Sequence, residues 1–232
     1  MSGRTQAVAG PVIAVFDLDR TITRRGTWTP FLLSVARRRP RKFLALPGIL
    51  ATYARYRLGQ VPRGAVKERM LRGVLAGAPR REVESFAAAF VDRLLARGLR
   101  PGARAAIERH RRAGHRLVLA TACFDILAEQ VAARLGFESV VCTRSSWDSE
   151  DRILDRIDGA DCYGAAKLDA LRAALPCPRE ACRLLFYSDS AADLPLLLWA
   201  DHGVLVNPSP RLKTLALARG LQITNWDSLN PS

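Results

Sequence analysis

The sequence predicts an α/β protein, a mainly parallel sheet with a helical insertion after its first strand, on three observations. Short apolar runs recur at residues 12–16, 117–120, 137–143, 183–187 and 203–206, each bounded by polar or turn-forming residues, which is the pattern of buried strands. Helix-period segments separate the later runs, and alternating strands and helices imply a parallel sheet with right-handed crossovers. Between residues 26 and 103 the apolar residues instead follow helical spacing. The expected division is a core of residues 1–25 and 104–232 with a helical cap of residues 26–103.

Taken in order, Val12–Phe16 is a strand running directly into Asp17-Leu18-Asp19-Arg20-Thr21. Residues 23–29 are polar and turn-like. Phe31, Leu32 and Val35 share a face of a helix over residues 30–39. The basic run Arg37-Arg38-Arg39-Pro40-Arg41-Lys42 follows, then residues 43–54, which carry no charge, then Arg55 and Arg57. Twelve residues of helix rise about 18 Å, short of the ~30 Å hydrocarbon core of a bilayer, and Pro47-Gly48 is expected to interrupt a helix there. Val83, Phe86, Ala87, Phe90, Leu94 and Leu95 mark a helix from Pro79 to Gly98, and another runs from Pro101 to Gly114. Leu117–Ala120 is a strand ending in Thr121, followed by a helix over 124–135 closed by Gly136 and a strand over 137–143. Residues 144–163 are acid-rich, with a small hairpin expected around Ile153, Ile157 and Asp158-Gly159. Lys167 enters a helix, 183–187 is a strand leading to Ser188-Asp189-Ser190-Ala191-Ala192-Asp193, and a strand at 203–206 precedes a closing helix over 211–219.

Composition narrows the function classes. The chain has 232 residues, 49% hydrophobic, and a net charge of +14. Residues 1–67 hold thirteen basic side chains against two acids, Asp17 and Asp19. Such a bias favours an anionic partner: a membrane surface, nucleic acid or a phosphorylated substrate. No recognised nucleic-acid motif accompanies it, so nucleic acid is the least expected of these. No uncharged apolar run reaches the length of a membrane span. The segment 7–16 reads as a core strand and not a secretory signal, so the expected location is the cytosol. Five cysteines without a C-x-x-C pair read as small buried thiols and not as a zinc or disulfide framework.

Four polar sites fall at strand ends or helix starts: Asp17 with Asp19, Thr121, Lys167, and Asp189 with Asp193. Groups at the carboxyl ends of parallel strands converge on one crevice. Carboxylates suit Mg²⁺, a helix-start lysine is a point charge for a phosphoryl oxygen, and a threonine hydroxyl donates to another. Each has a plain structural reading as well, as turn, helix cap or solvated side chain.

Together and in this order, the four sites resemble the motifs of the haloacid dehalogenase superfamily of phosphatases, whose core is a Rossmann-like sheet. The insertion after the first motif is similar to the cap of the phosphoserine-phosphatase-like branch. The resemblance implies that Asp17 attacks phosphorus to form an aspartyl phosphate and that Asp19 handles the leaving-group and water protons. Thr121 and Lys167 would hold phosphoryl oxygens. Asp17, Asp189 and the backbone carbonyl of Asp19 would hold Mg²⁺, and Asp193 would orient Lys167 or a metal-bound water. Arg20 stands where the family commonly has glycine, and Ala122-Cys123 replaces the glycines that follow the second motif in phosphoserine enzymes.

Trp28-Thr29-Pro30-Phe31-Leu32, the basic run and Leu44-Ala45-Leu46-Pro47 are similar to the bacterial phosphatidylglycerophosphatase C family, as is Tyr187-Ser188-Asp189-Ser190. This implies a phospholipid-headgroup substrate. The residues themselves offer the matching contact, peripheral on the cytosolic face: Arg37, Arg38, Arg39, Arg41 and Lys42 are expected to meet anionic headgroups while the uncharged segment beside them sinks into the interface. The alternatives are a soluble substrate such as phosphoserine or histidinol phosphate with residues 43–58 packed within the cap, and a non-catalytic module that grips membrane or nucleic acid.

Overall fold

The computed structural model describes residues 10–228; residues 7–9, read above as the start of the first strand, lie outside them, as do the outermost residues of the expected core. Within that range, seven strands form one sheet: β1 (Val12–Phe16), β2 (Arg116–Phe124), β3 (Ser139–Trp147), β4 (Ile153–Asp158), β5 (Arg183–Ser188), β6 (His202–Val206) and β7 (Gln222–Thr224). Their order across the sheet is β4-β3-β2-β1-β5-β6-β7, and every pairing is parallel except β3 with β4.

Strand β1 is central because it is apolar on both faces. Its side chains alternate between two cores. Ala14 and Phe16 join one with Leu117 and Leu119, while Ile13 and Val15 join the other with Leu184 and Phe186. Helices α5 (Pro101–Arg112) and α6 (Asp125–Leu135) contribute to the first core, and α7 (Ala165–Ala174), α8 (Leu194–Trp199) and α9 (Pro210–Leu217) cover the second. A sheet clothed on both faces keeps its ligand site at the strand ends, beside the central strand where the connections diverge.

The insertion comprises α1 (Trp28–Arg38), α2 (Leu46–Arg57), α3 (Arg63–Val74) and α4 (Arg80–Arg97). Its outgoing and returning ends are stitched together. Thr23 bridges Leu99, Arg24 N–H donates to the Gly98 carbonyl at 2.9 Å, and Arg100 N–H donates to the Ile22 carbonyl at 2.9 Å.

Three expectations need correction. The third strand spans Ser139–Trp147 and not 137–143, because the left-handed Gly136 (φ 69°) turns the chain and leaves Phe137 packed in the core before pairing begins. The hairpin is larger than expected and turns at residues 148–152, where Asp148 Oδ1 accepts from the Glu150 and Arg152 N–H groups; Asp158 instead ends β4, paired with Arg144, and Gly159 follows it. Pro47-Gly48 does not interrupt a helix but starts one: Pro47 occupies the first turn of α2, where a missing N–H costs nothing.

Helix α2 is not buried within the insertion. Of its residues only Ile49 is buried, while Leu50 and Tyr53 are exposed, as are the flanking Leu44 (83% exposed) and Leu58 (72% exposed). It rests on α3 through close approach at Gly73, where an added Cβ would meet the Cβ of Ala45, the residue just before α2, at 2.5 Å and Ile49 Cδ1 at 3.5 Å. Among the described residues no helix is long and apolar enough to cross a membrane.

Candidate active site

Asp17 follows the last residue of β1, and its N–H donates to the Tyr187 carbonyl of β5 at 2.9 Å. The chain then turns sharply through Leu18–Ile22, with Arg20 left-handed at φ 63°. That conformation costs a non-glycine residue about 1 kcal/mol, so glycine would adopt it without strain; Arg20 holds it with its side chain exposed. The turn aims Asp17, Asp19 and Thr21 across the strand ends.

All six predicted polar residues, Asp17, Asp19, Thr121, Lys167, Asp189 and Asp193, line one cavity of about 320 Å³, joined by Arg20, Gly26, Arg63 and Tyr163. Lys167 is buried between two carboxylates. Its Nζ donates to Asp17 Oδ1 at 2.9 Å and to Asp193 Oδ2 at 2.8 Å. Burial opposes the ammonium charge, but the two carboxylates outweigh it and raise the lysine's affinity for its proton. Asp193 Oδ2 also accepts from Ser188 Oγ at 2.6 Å, while its buried Oδ1 has no hydrogen-bond partner. Asp193 is thus the second carboxylate that the Lys167 ammonium contacts.

Burial pushes the Asp17 carboxyl up to about 7, against the pull of Lys167 and with a further push from Asp193. Asp19 is raised as well, by burial, with Thr27 opposing: the Thr27 N–H donates to Asp19 Oδ1 at 2.8 Å. Asp189 is raised by burial and partly restrained by Arg20. Thr21 Oγ1 accepts from the Asp189 N–H at 2.9 Å and lies 3.0 Å from Asp17 Oδ2 and 3.4 Å from Asp189 Oδ1. Its single proton serves one carboxylate at a time. Thr121 Oγ1 accepts from the Cys123 N–H at 3.0 Å, leaving its proton for another partner.

Among the described residues no three Asp, Glu, His or Cys side chains gather as a ready-made metal cluster. The donor set nevertheless fits Mg²⁺. Two carboxylates, Asp17 and Asp189, share one bridging hydroxyl in a buried setting that raises both, and a hard cation with bound waters needs only a few protein oxygens.

The basic run lies outside this cavity. Arg37 and Arg38 end α1, and Arg38 and Arg39 lie over the Phe86 ring of α4, at 5.3 and 5.8 Å, with Arg39 ion-paired to Glu82. Those two are therefore partly committed to holding α1 on α4. Arg37 and Arg41 are exposed, and Lys42 is half-buried.

The sequence reading missed three charged groups beside the site. Lys67 and Arg63, one turn apart on α3, both reach Asp161 in the core, Nζ to Oδ1 at 2.7 Å and Nη1 to Oδ2 at 2.6 Å. These cations hold Asp161 below the usual carboxylate range although burial opposes it. The only signals were an i, i+4 basic pair and an acid-rich stretch far along the chain. A second recess of about 570 Å³, sharing Asp19, Arg20, Gly26 and Arg63 with the first, extends under α2; Trp28, Tyr53, Tyr56, Val66 and Met70 line it together with Arg24 and Arg25.

Known proteins resemble this chain over most of its length. The chain is 29% identical over 193 residues to protein CicA of Caulobacter vibrioides, covering 83% of this chain and 84% of that protein. It is 28% identical over 218 residues to phosphoserine phosphatase SerB1 of Mycobacterium tuberculosis, covering 92% and 70%. A crystal structure of a Bordetella pertussis protein of unknown function superposes with a TM-score of 0.78 at 26% identity, covering 93% of this chain and 98% of that one. The haloacid dehalogenase-like hydrolase family matches residues 14–198, the span that holds most of β1, all of β2 to β5 and every cavity-lining acid, and the chain belongs to that family.

Proposed function

We propose that this chain is a Mg²⁺-dependent phosphomonoesterase working through an aspartyl phosphate on Asp17. The observation that carries the reading is the buried Asp17–Lys167–Asp193 arrangement facing a cavity that Thr121 also lines. A carboxylate is a competent nucleophile when ionised and placed in line, and Lys167 favours the ionised form of Asp17. Asp19, with its proton affinity raised by burial, is suited to protonate the leaving oxygen and then to take a proton from the hydrolytic water. Thr121 and Lys167 hold phosphoryl oxygens. Asp17, Asp189 and the Asp19 carbonyl would hold Mg²⁺, which when bound offsets phosphate charge. Residues 26–103 serve as the cap, since Arg63 and Gly26 close the cavity from that side.

For the substrate we infer a phosphomonoester on an anionic lipid headgroup. The leaving-group recess combines arginines with aromatic and aliphatic walls, and two of those walls, Tyr53 and Tyr56, come from α2. The same helix and its flanks expose Leu44, Leu50 and Leu58 beside Arg41, Arg55 and Arg57. Such a surface can lie in a bilayer interface, its apolar side chains sinking and its arginines meeting anionic headgroups. The 28% identity to a phosphoserine phosphatase favours a second reading, a small soluble phosphate ester.

Two measurements test this. Asp17→Asn should abolish Mg²⁺-dependent phosphate release from any accepted ester; surviving activity refutes the catalytic reading. Turnover of phosphatidylglycerol phosphate in vesicles should exceed that of phosphoserine and histidinol phosphate, and the reverse order moves the substrate to the soluble class.

A further inference from the structure

Lys67 is a buried ammonium on α3 that the reaction above does not use. Its three N–H bonds are all taken by core groups: the Ala122 carbonyl at 2.7 Å, Thr143 Oγ1 at 2.9 Å and Asp161 Oδ1 at 2.7 Å. The charge also sits 4.4 Å from the centre of the Phe124 ring. Burying an ammonium is expensive unless every donor is matched, so this arrangement tolerates little displacement.

The three acceptors belong to different segments, and two of those segments carry phosphate-site residues. Ala122 directly follows Thr121. Asp161 lies in the loop that leads through Gly164 into α7 and Lys167. Thr143, on β3, ties the two together: its hydroxyl accepts from Lys67 and from the Cys162 N–H at 3.0 Å, and its one proton faces Asp161 Oδ1 and the Ala122 carbonyl, each at 3.1 Å.

The geometry points to Lys67 as a positioning residue that pins the Thr121 turn and the Lys167 loop at a fixed separation, so that the phosphate cradle is complete only when α3 is seated on the core. Arg63, one turn earlier, shares Asp161 and lines the cavity itself, which links seating of the helix to the shape of the site. The inference rests on the reading of Thr121 and Lys167 as phosphate holders.

The test compares wild type, Lys67→Met, Lys67→Arg and a control, Val83→Ala, which removes buried volume in α4 away from the cavity. Readouts are orthophosphate affinity by calorimetry in Mg²⁺ buffer, kcat and KM on p-nitrophenyl phosphate, and Tm. K67M should weaken orthophosphate by roughly tenfold and lower kcat by about 10–100-fold with a smaller change in KM, as expected when reactive groups shift by a fraction of an ångström. K67R should recover part of both losses. V83A, destabilised to a similar Tm, should keep wild-type affinity and kcat. K67M that behaves like V83A, or like wild type, overturns the inference. If K67M does not fold, Asp161→Asn takes its place: weaker orthophosphate binding at a retained Tm supports the role, and wild-type affinity overturns it. Wild-type protein that neither binds orthophosphate nor releases it from the ester refutes the phosphatase reading and this inference together, whereas wild-type activity with an unaffected K67M refutes this inference alone.

Discussion

Replacing Lys167 by Met should destabilise the metal-free fold in a strongly pH-dependent way. In the native protein the ammonium lies 2.9 Å from Asp17 Oδ1 and 2.8 Å from Asp193 Oδ2, with all three groups buried. Removing one partner of a buried ion pair costs about 3–5 kcal/mol, because the remaining charge has no compensation. Protonation limits that cost. A carboxyl whose pKa is about 3.9 in the unfolded chain takes up a proton at pH ~7.5 for about 5 kcal/mol, but at pH ~5.5 for about 2 kcal/mol. The variant should therefore lose about 3–5 kcal/mol at the higher pH and at most about 2 kcal/mol at the lower one, where Asp17, already raised to about 7 in the native protein, is neutral with or without Lys167. In the variant the folded state binds more protons than the unfolded state, so its stability falls as pH rises. Urea unfolding in EDTA, followed by fluorescence of the buried Trp28 and Trp226, reads this directly: with a slope of roughly 2 kcal/mol per molar urea the midpoint moves by more than 1 M. Adding Asp17→Asn to Lys167→Met should restore part of the loss at the higher pH. A loss under about 1 kcal/mol, or one equal at both pH values, would falsify the buried triad as the electrostatic centre of the site.

Other outcomes follow from the same structure. His110 is buried against Tyr187, its Nε2 2.9 Å from the phenol oxygen, and burial, assisted by Arg109 and His115, lowers it from 6.5 to about 4. The unfolded chain takes up that proton first, so the contribution is fully present above pH ~6.5 and is lost as pH falls toward ~4. It should amount to about 1–2 kcal/mol after allowing for partial solvent access, and His110→Gln should flatten that part of the stability profile. Leu44→Glu with Leu50→Glu should leave Tm and p-nitrophenyl phosphate turnover near wild type while abolishing flotation with anionic vesicles; flotation that persists removes α2 from the membrane reading. Gly73→Val should lower stability by about 1–3 kcal/mol by forcing α2 off α3 at Ala45, measured as a shift in urea midpoint.

The sequence by itself determined the parts that depend on local pattern and chain order. An apolar run ending in Asp17-Leu18-Asp19 must be a buried strand with carboxylates at its end, and parallel crossovers oblige Thr121, Lys167 and Asp189 to arrive at the same edge of the sheet. Only the tertiary structure decided how those groups are partnered and what encloses them. Residues 43–58 are uncharged or basic whether they face solvent, lipid or protein; it is the packing of Ala45 on Gly73 that turns Ile49 inward and leaves Leu44 and Leu50 outside. The third strand ran on to Trp147 because its pairing with β4 is antiparallel and adds no sharp apolar signal. Lys67 and Asp161 stand 94 positions apart, so no window of sequence holds both. A lysine on a helix reads as solvated until the fold buries it, and burial is what obliges it to find three acceptors. The opening strand thus named its two carboxylates from local chemistry alone and carried Arg20 beside them, while the other cations that line the cavity, Lys167 and Arg63, were gathered by packing between distant segments.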